Sequence, residues 1–214
     1  MKNSDGKAVL LRMVAAIQEN KNYLGEVDGL IGDGDHGMNM NKGFSMFADQ
    51  VGESAVSFSE GLEALGNVLF SKIGGSMGPI YGTVFMTMAE TGRDFDEITL
   101  DRLASMLRAG LNALRDVVQA QVGDKTLIDT LEPAITALET AIKEGKGLAD
   151  ALAQMKTAAE AGRDSTKNLV AKYGRSSRLG ERSRGVLDAG AVSCCLILCS
   201  MADGILEQTG GAQV

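Results

Sequence analysis

Tryptophan is absent from these 214 residues, aromatic side chains make up only 4%, and there are two prolines and one histidine. A chain that is 44% hydrophobic yet so poor in rings packs an aliphatic, small-residue interior rather than an aromatic-rich sandwich. With His36 alone, and no cysteine beside a candidate base, a histidine-based nucleophilic triad within the chain is excluded. The three cysteines, Cys194, Cys195 and Cys199, are clustered near the C-terminus. An odd, clustered set suits free thiols in a reducing cytoplasm better than a disulfide frame. Buried small hydrophobes are the favoured reading of these thiols, ahead of a three-cysteine metal site.

Other absences narrow the partners. The N-terminus, Met1 to Lys7, lacks the apolar stretch of a signal peptide. The longest apolar run, around Cys194–Cys199, falls short of the roughly 20 residues a membrane span needs. The net charge of −7 and pI near 4.8 argue against nucleic acid or an anionic membrane as the main partner. A cytoplasmic protein with no membrane and no nucleic-acid partner is expected.

What the chain has is helical periodicity from end to end. Leu10, Met13, Val14 and Ile17 make one i, i+3, i+4, i+7 stripe. Ser57 and Glu60 form a capping-box pattern ahead of Phe58, Leu62, Leu65 and Leu69. Pro79 suits a first helical position for a segment running to about Glu90. Thr99 can cap a helix carrying Leu100 through Leu114 and Val118. Leu131, Ile135, Leu138 and Ile142 stripe the next, with Pro133 in its first turn and Gly145 at its end. A helix from Leu148 to about Leu169 and a last one from Gly190 to Leu206 complete the set. The pattern predicts an all-α, single-domain bundle or barrel over residues 1–214, of about eight antiparallel up-and-down helices.

The 27 glycines gather in the loops, and the loops carry the chemistry. Asp28–Met40 reads D-G-L-I-G-D-G-D-H-G-M-N-M, placing Asp28, Asp33 and Asp35 within eight residues. Two like charges about 4 Å apart repel by about 4 kcal/mol at an effective dielectric near 20. Carboxylates gathered this way want a cation, and oxygen-only ligands favour Mg²⁺ or Ca²⁺ over zinc. The spacing is not that of an EF-hand loop. The loop feeds a helix start at Met38, whose free N–H groups suit a phosphate. Carboxylates, metal and phosphate together point to phosphoryl transfer; a solvated acidic turn is the alternative.

Three further loops read less sharply alone. Ile73–Thr83 offers Gly74, Gly75, Gly78 and the Ser76 hydroxyl ahead of a helix, as a phosphate contact or a plain turn. In Val122–Pro133, Gly123 would let a ligand near the backbone. Asp124, Thr126 and Asp129 are also ordinary capping residues there, and Lys125 either meets a phosphate or is solvated. Tyr173–Val192 packs Arg175, Arg178, Arg182 and Arg184 into ten residues, a set that matches phosphate oxygens or forms a solvated basic loop. His36 either touches phosphate or acts as a structural hydrogen-bonder.

Together these loops resemble one family, the ADP-binding L subunit of dihydroxyacetone kinase, also found as the C-terminal domain of single-chain dihydroxyacetone kinases. The motifs are D-x₄-D-x-D-H-G-x-N-M at Asp28–Met40 and G-G-x-x-G-P-x-x-G-T at Gly74–Thr83. G-D-K-T at Gly123–Thr126 and G-R-x-S-x-L-G-E-R-S-x-G-x-x-D-x-G-A at Gly174–Ala191 follow in order. The resemblance implies a barrel of eight helices with ADP or ATP at one end, and two Mg²⁺ ions held by Asp28, Asp33 and Asp35. By matching position, His36, Gly37, Met38, Asn39, Gly75, Ser76, Met77, Gly123, Arg175, Asp188, Ala189 and Gly190 would line the nucleotide, with Arg175 also neutralising charge. It implies a separate K subunit carrying the sugar through its own histidine, and in one branch a phosphotransferase-system subunit that rephosphorylates ADP. Alone, the chain would bind nucleotide without phosphorylating sugar efficiently. Met77 stands where many relatives have serine and Ala189 where many have proline. These departures leave the ketose, dihydroxyacetone or a tetrulose such as erythrulose, and the donor open. A regulatory nucleotide-binding module acting on a protein partner is the second reading, and a homo-oligomer is compatible with either.

Overall fold

The computed structural model describes residues 1–210. Eight α-helices follow one another: α1 Lys7–Gly29, α2 His36–Val51, α3 Phe58–Lys72, α4 Met77–Gly92, α5 Leu100–Val117, α6 Ile128–Lys143, α7 Leu148–Ser165 and α8 Ala189–Gly210. Each packs against the next, and α8 returns against α1. The helices therefore close into a ring around an apolar core. Most connections between packed neighbours are short, and each helix reverses direction against the one before it. The even-numbered helices accordingly begin at the end where the odd-numbered ones finish.

Sequence-local rules account for much of this. The capping box of α3 forms, with Ser57 Oγ accepting from the Glu60 amide at 3.1 Å and the Glu60 carboxylate accepting from the Ser57 amide at 2.8 Å. The Thr99 hydroxyl accepts from the Arg102 amide at the start of α5. Gly66 of α3 and Gly82 of α4 face each other so closely that a Cβ on either would press on the other's carbonyl oxygen. Small residues there allow tight helix contact. Among the described residues, extended pairing is limited to one isolated bridge between Lys2 and Glu97.

Some bounds differ from the sequence expectation. Helix α6 starts at Ile128, so Pro133 sits inside the helix rather than in its first turn. The start is moved upstream by the Asp129 carboxylate, which accepts from the amides of Gly123 (2.6 Å) and Thr126 (2.7 Å). Val118 does not extend the α5 stripe, because the backbone turns extended there at φ −130°. Helix α7 stops at Ser165 and a short 3-10 turn follows. The arginine loop is largely helical too, a 3-10 segment at Arg175–Ser183 broken at Gly180.

The core is aliphatic and filled. A void of about 20 Å³ between Tyr81, Phe85, Leu131 and Met201 has room for one water at most. Helix α8 is long and apolar enough to span a membrane by length and composition, with mean hydropathy 1.9 over its window. The sequence reading, which counted only the uninterrupted run near Cys194, put it well below that length. Of that window, 72% is buried against the rest of the ring, as for a core helix of a globular protein. Cys194 and Cys195 are buried in it as small hydrophobes, and Cys199 is half-buried.

Candidate functional site

At the end of the ring where the even-numbered helices begin, a cavity of about 730 Å³ opens. Its wall is drawn from the α1–α2, α3–α4, α5–α6 and α7–α8 connections. Ring closure thus brings together four loops that are far apart in sequence.

The first corner is acidic. After α1 the chain folds back over its last turn, with the Gly32 amide donating to the Asp28 carbonyl at 2.5 Å. A Cβ on Gly32 would collide with the Asp28 carboxylate, and Gly34 turns at φ +76°. Glycine is required at both places. The loop holds one carboxylate oxygen of each of Asp28, Asp33 and Asp35 within 4.8 Å of one another. Oxygen donors this close form a set that a hard divalent cation fits. From the opposite loop, the Arg175 guanidinium reaches over and ion-pairs with Asp33.

His36 opens α2 and is buried. Its Nε2 pairs with Ser193 Oγ at 2.9 Å, and that hydroxyl also pairs with the Tyr81 hydroxyl at 2.7 Å. Burial lowers the imidazole to about 4, with the Asp28 charge opposing. The ring is therefore neutral near pH 7, and it ties α2 to α8. Burial likewise pushes the Asp188 carboxyl up to about 6, offset by the Ala191 amide it accepts from at 2.8 Å and by Lys125.

Lys125 is not solvated: it is buried on the cavity wall with φ +62°. Its ammonium donates to the carbonyls of Thr166, at 2.5 Å, and Val186. It pins the α7–α8 connection to the start of α6, and burial lowers its pKa. Asp124 and Asp129 cap neighbouring amides, as ordinary turn residues do.

Of the residues singled out in the sequence, Asp28, Asp33, Asp35, His36, Asn39, Gly75, Ser76, Met77, Arg175, Asp188, Ala189 and Gly190 all line the cavity. Gly37, Met38 and Gly123 do not. Gly37 faces α1, where a Cβ would strike the Lys21 carbonyl, and the Met38 side chain is 59% exposed. The cavity also uses Ile80, Tyr81, Val117 to Ala120, Leu127 and Tyr173. Sequence reasoning did not single these out, since an unremarkable stretch such as V-Q-A carries no motif.

Two helix starts at the cavity are open. Neither Asp35 ahead of α2 nor Ser76 ahead of α4 makes a side-chain cap. The His36 amide at the start of α2 donates to the Asp28 carboxylate at 3.4 Å, while the next amides of α2 and the first two of α4 have a positive dipole end behind them. A cation-collecting carboxylate trio beside two uncapped helix starts can hold a metal and an anion next to each other.

The DAK2 domain profile matches residues 30–203. The chain is 37% identical over 186 residues to the PEP-dependent dihydroxyacetone kinase 1, ADP-binding subunit DhaL of Listeria innocua, covering 86% of this chain and 88% of that one. It is 40% identical over 179 residues to the PTS-dependent dihydroxyacetone kinase, ADP-binding subunit DhaL of Lactococcus lactis, covering 83% and 84%. The crystal structure of the dihydroxyacetone kinase from C. freundii in complex with AMP-PNP and Mg²⁺ superposes with a TM-score of 0.70 at 20% identity. That match covers 95% of this chain and 34% of that one, and it shows the shared fold.

Proposed function

The chain belongs to the DAK2 domain family, and from that premise we propose that it is the nucleotide-binding subunit of a dihydroxyacetone-type kinase. Residues 1–214 act as one domain that presents ADP or ATP to a ketose held on a separate K subunit. The observation that carries this is the placement of the carboxylate trio and two uncapped helix starts on one cavity wall.

Asp28, Asp33 and Asp35 would hold two Mg²⁺ ions, and the amides opening α2 and α4 would take phosphate oxygens. Gly37 and Met38 contribute through the backbone, which is compatible with their side chains lying off the cavity. Ser76 adds a hydroxyl, and Met77 supplies none. Arg175, which ion-pairs with Asp33 here, would be available to phosphate oxygens with that carboxylate on a metal. Bound Mg²⁺ supplies charge neutralisation and in-line orientation of the transferred group.

The chain's own histidine is unavailable to hold a sugar, since His36 is buried and paired with Ser193. The ketose, dihydroxyacetone or a tetrulose, therefore sits on the partner, and the isolated chain turns none over. A phosphotransferase-system subunit is one donor and exchanging ATP the other; free thiols and the acidic surface fit a cytoplasmic setting.

The test is titration calorimetry of ADP into nucleotide-stripped protein with and without Mg²⁺, followed by ketose phosphorylation with a K subunit added. Mg²⁺-dependent binding and K-dependent turnover are expected. Binding without turnover would favour a regulatory module, and no binding would overturn the assignment.

A further inference from the structure

One residue of the G-D-K-T turn is held against its backbone preference. Among the described residues, Lys125 is the one non-glycine at positive φ, +62°, a conformation that persists only where the surroundings impose it. The turn is fixed from α6, where the Asp129 carboxylate accepts from the Gly123 and Thr126 amides on either side. The Lys125 side chain is turned inward, 1% exposed, and its ammonium ends between two carbonyls. That of Thr166 lies where α7 runs out, and that of Val186 lies just ahead of α8. One ammonium therefore holds both limbs of the connection that carries the arginines.

The connection divides into a neck and a tip. Along the neck the two limbs are bonded to each other. Thr166 Oγ1 accepts from the Asp188 amide (3.0 Å), and the Gly185 amide donates to the Lys167 carbonyl (2.8 Å). The Ala171 amide donates to Ser183 Oγ (2.9 Å), and the Arg184 guanidinium to the Asn168 carbonyl. The tip bears Arg175 between Gly174 (φ +70°) and Gly180 (φ +54°). Among the described residues, the Arg175 pair with Asp33 is the one polar contact that residues 174–182 make outside the connection. The reach of Arg175 is thus inherited from the neck. Asp124 also ties the neck down, taking the Lys172 amide (3.2 Å) and ammonium (2.5 Å), but the Lys172 side chain is exposed and its pair is weakened by water. Lys125 is the buried tie.

We propose that Lys125 is a positioning residue: by clasping both limbs of the α7–α8 connection it sets the reach of Arg175 over the carboxylate loop. An ammonium has three donors and no acceptor, so it can take carbonyls from two separate limbs at once. A neutral side chain of similar length leaves two carbonyls facing each other unpaired, and the limbs part. The ordering of Arg175 stands by itself; its consequence for nucleotide affinity rests on the nucleotide reading above.

The experiment uses the full chain as parent, Lys125→Met, Arg175→Ala and the double variant. In nucleotide-free protein the Arg175 Nε–H resonance, assigned by its loss in Arg175→Ala, should be sharp in the parent and broadened in Lys125→Met. In calorimetry of ADP with Mg²⁺, Lys125→Met should weaken binding about tenfold, the loss of one charge-assisted hydrogen bond. Added to Arg175→Ala, the same change should alter affinity by about twofold at most. An unchanged Arg175 resonance in Lys125→Met would overturn the proposal. So would an equal loss in both backgrounds, the result expected if Lys125 met phosphate directly. Should Lys125→Met not fold, trypsin decides on the parent: cleavage after Arg178 and Arg182 in the tip should far outpace cleavage after Lys167 and Arg184 in the neck, and equal rates would overturn the clasp. A parent that binds no ADP would overturn the nucleotide reading, and the Arg175 resonance would still decide this proposal.

Discussion

The two ends of the ring are built from the same helices and finished differently. At the far end, α3 and α5 are closed by side-chain caps from Ser57 and Thr99. Buried Asn3 fills the gap between them, donating to Ser59 Oγ (3.1 Å), Gly92 O (3.3 Å) and Phe95 O (2.8 Å) while accepting from the Ser59 amide (3.0 Å). At the cavity end, α2 and α4 begin without caps and three carboxylates crowd together. Capping by itself does not divide the ends, since α1 and α7 also begin without a side-chain cap at the far end and Asp188 accepts from the Ala191 amide at the start of α8. What sets the cavity end apart is the crowding of three carboxylates and of titratable groups shifted by burial, the pattern expected of a binding site.

The comparison is broken most severely by swapping what each end does. Asp33→Ala should weaken Mg²⁺-dependent ADP binding by a hundredfold or more on calorimetry, since one ligand of the trio is lost. Its thermal midpoint should hold or rise, because like charges are relieved. Gly6→Ala acts in the opposite sense, since a Cβ there collides with the Phe58 backbone. It should cost about 3 kcal/mol in denaturant unfolding and leave ADP affinity intact in the folded fraction. If Gly6→Ala changed affinity as much as Asp33→Ala, the division between ends would fail.

A pH series sharpens the picture next. Folded His36 resists protonation down to about 4 while the unfolded residue protonates at 6.5. It therefore contributes stability that is complete above 6.5 and lost as pH falls toward 4. Asp188 runs the other way: its carboxyl protonates near 6 when folded and 3.8 when unfolded. It thus costs stability above pH 6, a cost relieved as pH falls toward 3.8. Relative to the parent, His36→Asn should lose the acid-side decline, by up to about 1.4 kcal/mol per pH unit. Asp188→Asn should steepen it. Denaturation midpoints at pH 4 to 7 read both, and parallel curves for all three proteins would contradict the assignment.

The smallest effect belongs to the far-end cap. Ser57→Ala removes the α3 capping box and should cost about 1 kcal/mol, with ADP binding unaltered.

Much of the ring was legible because it rests on near neighbours in sequence. The stripes at Leu10–Ile17 and Leu131–Ile142 and the pair Ser57 and Glu60 each act within two turns of helix, so spacing alone locates them. The carboxylate trio was legible for the same reason, since Asp28, Asp33 and Asp35 belong to one glycine-bent loop. Helix ends were less so. Pro133 looked like a start because Asp129, whose carboxylate holds Gly123 and Thr126, was read only as one candidate cap among several.

The sequence by itself determined an all-α chain, the glycine-rich loops and an acidic corner suited to a divalent cation. Tertiary structure alone decided that Arg175 meets Asp33, that His36 is spent on Ser193, and that Lys125 is buried on two carbonyls. It alone brought Val118–Ala120 to the cavity wall. The reason is that periodicity and capping are local and act within a few residues. The partners in these contacts are set by which connections meet when the ring closes, and that depends on packing between helices distant in sequence.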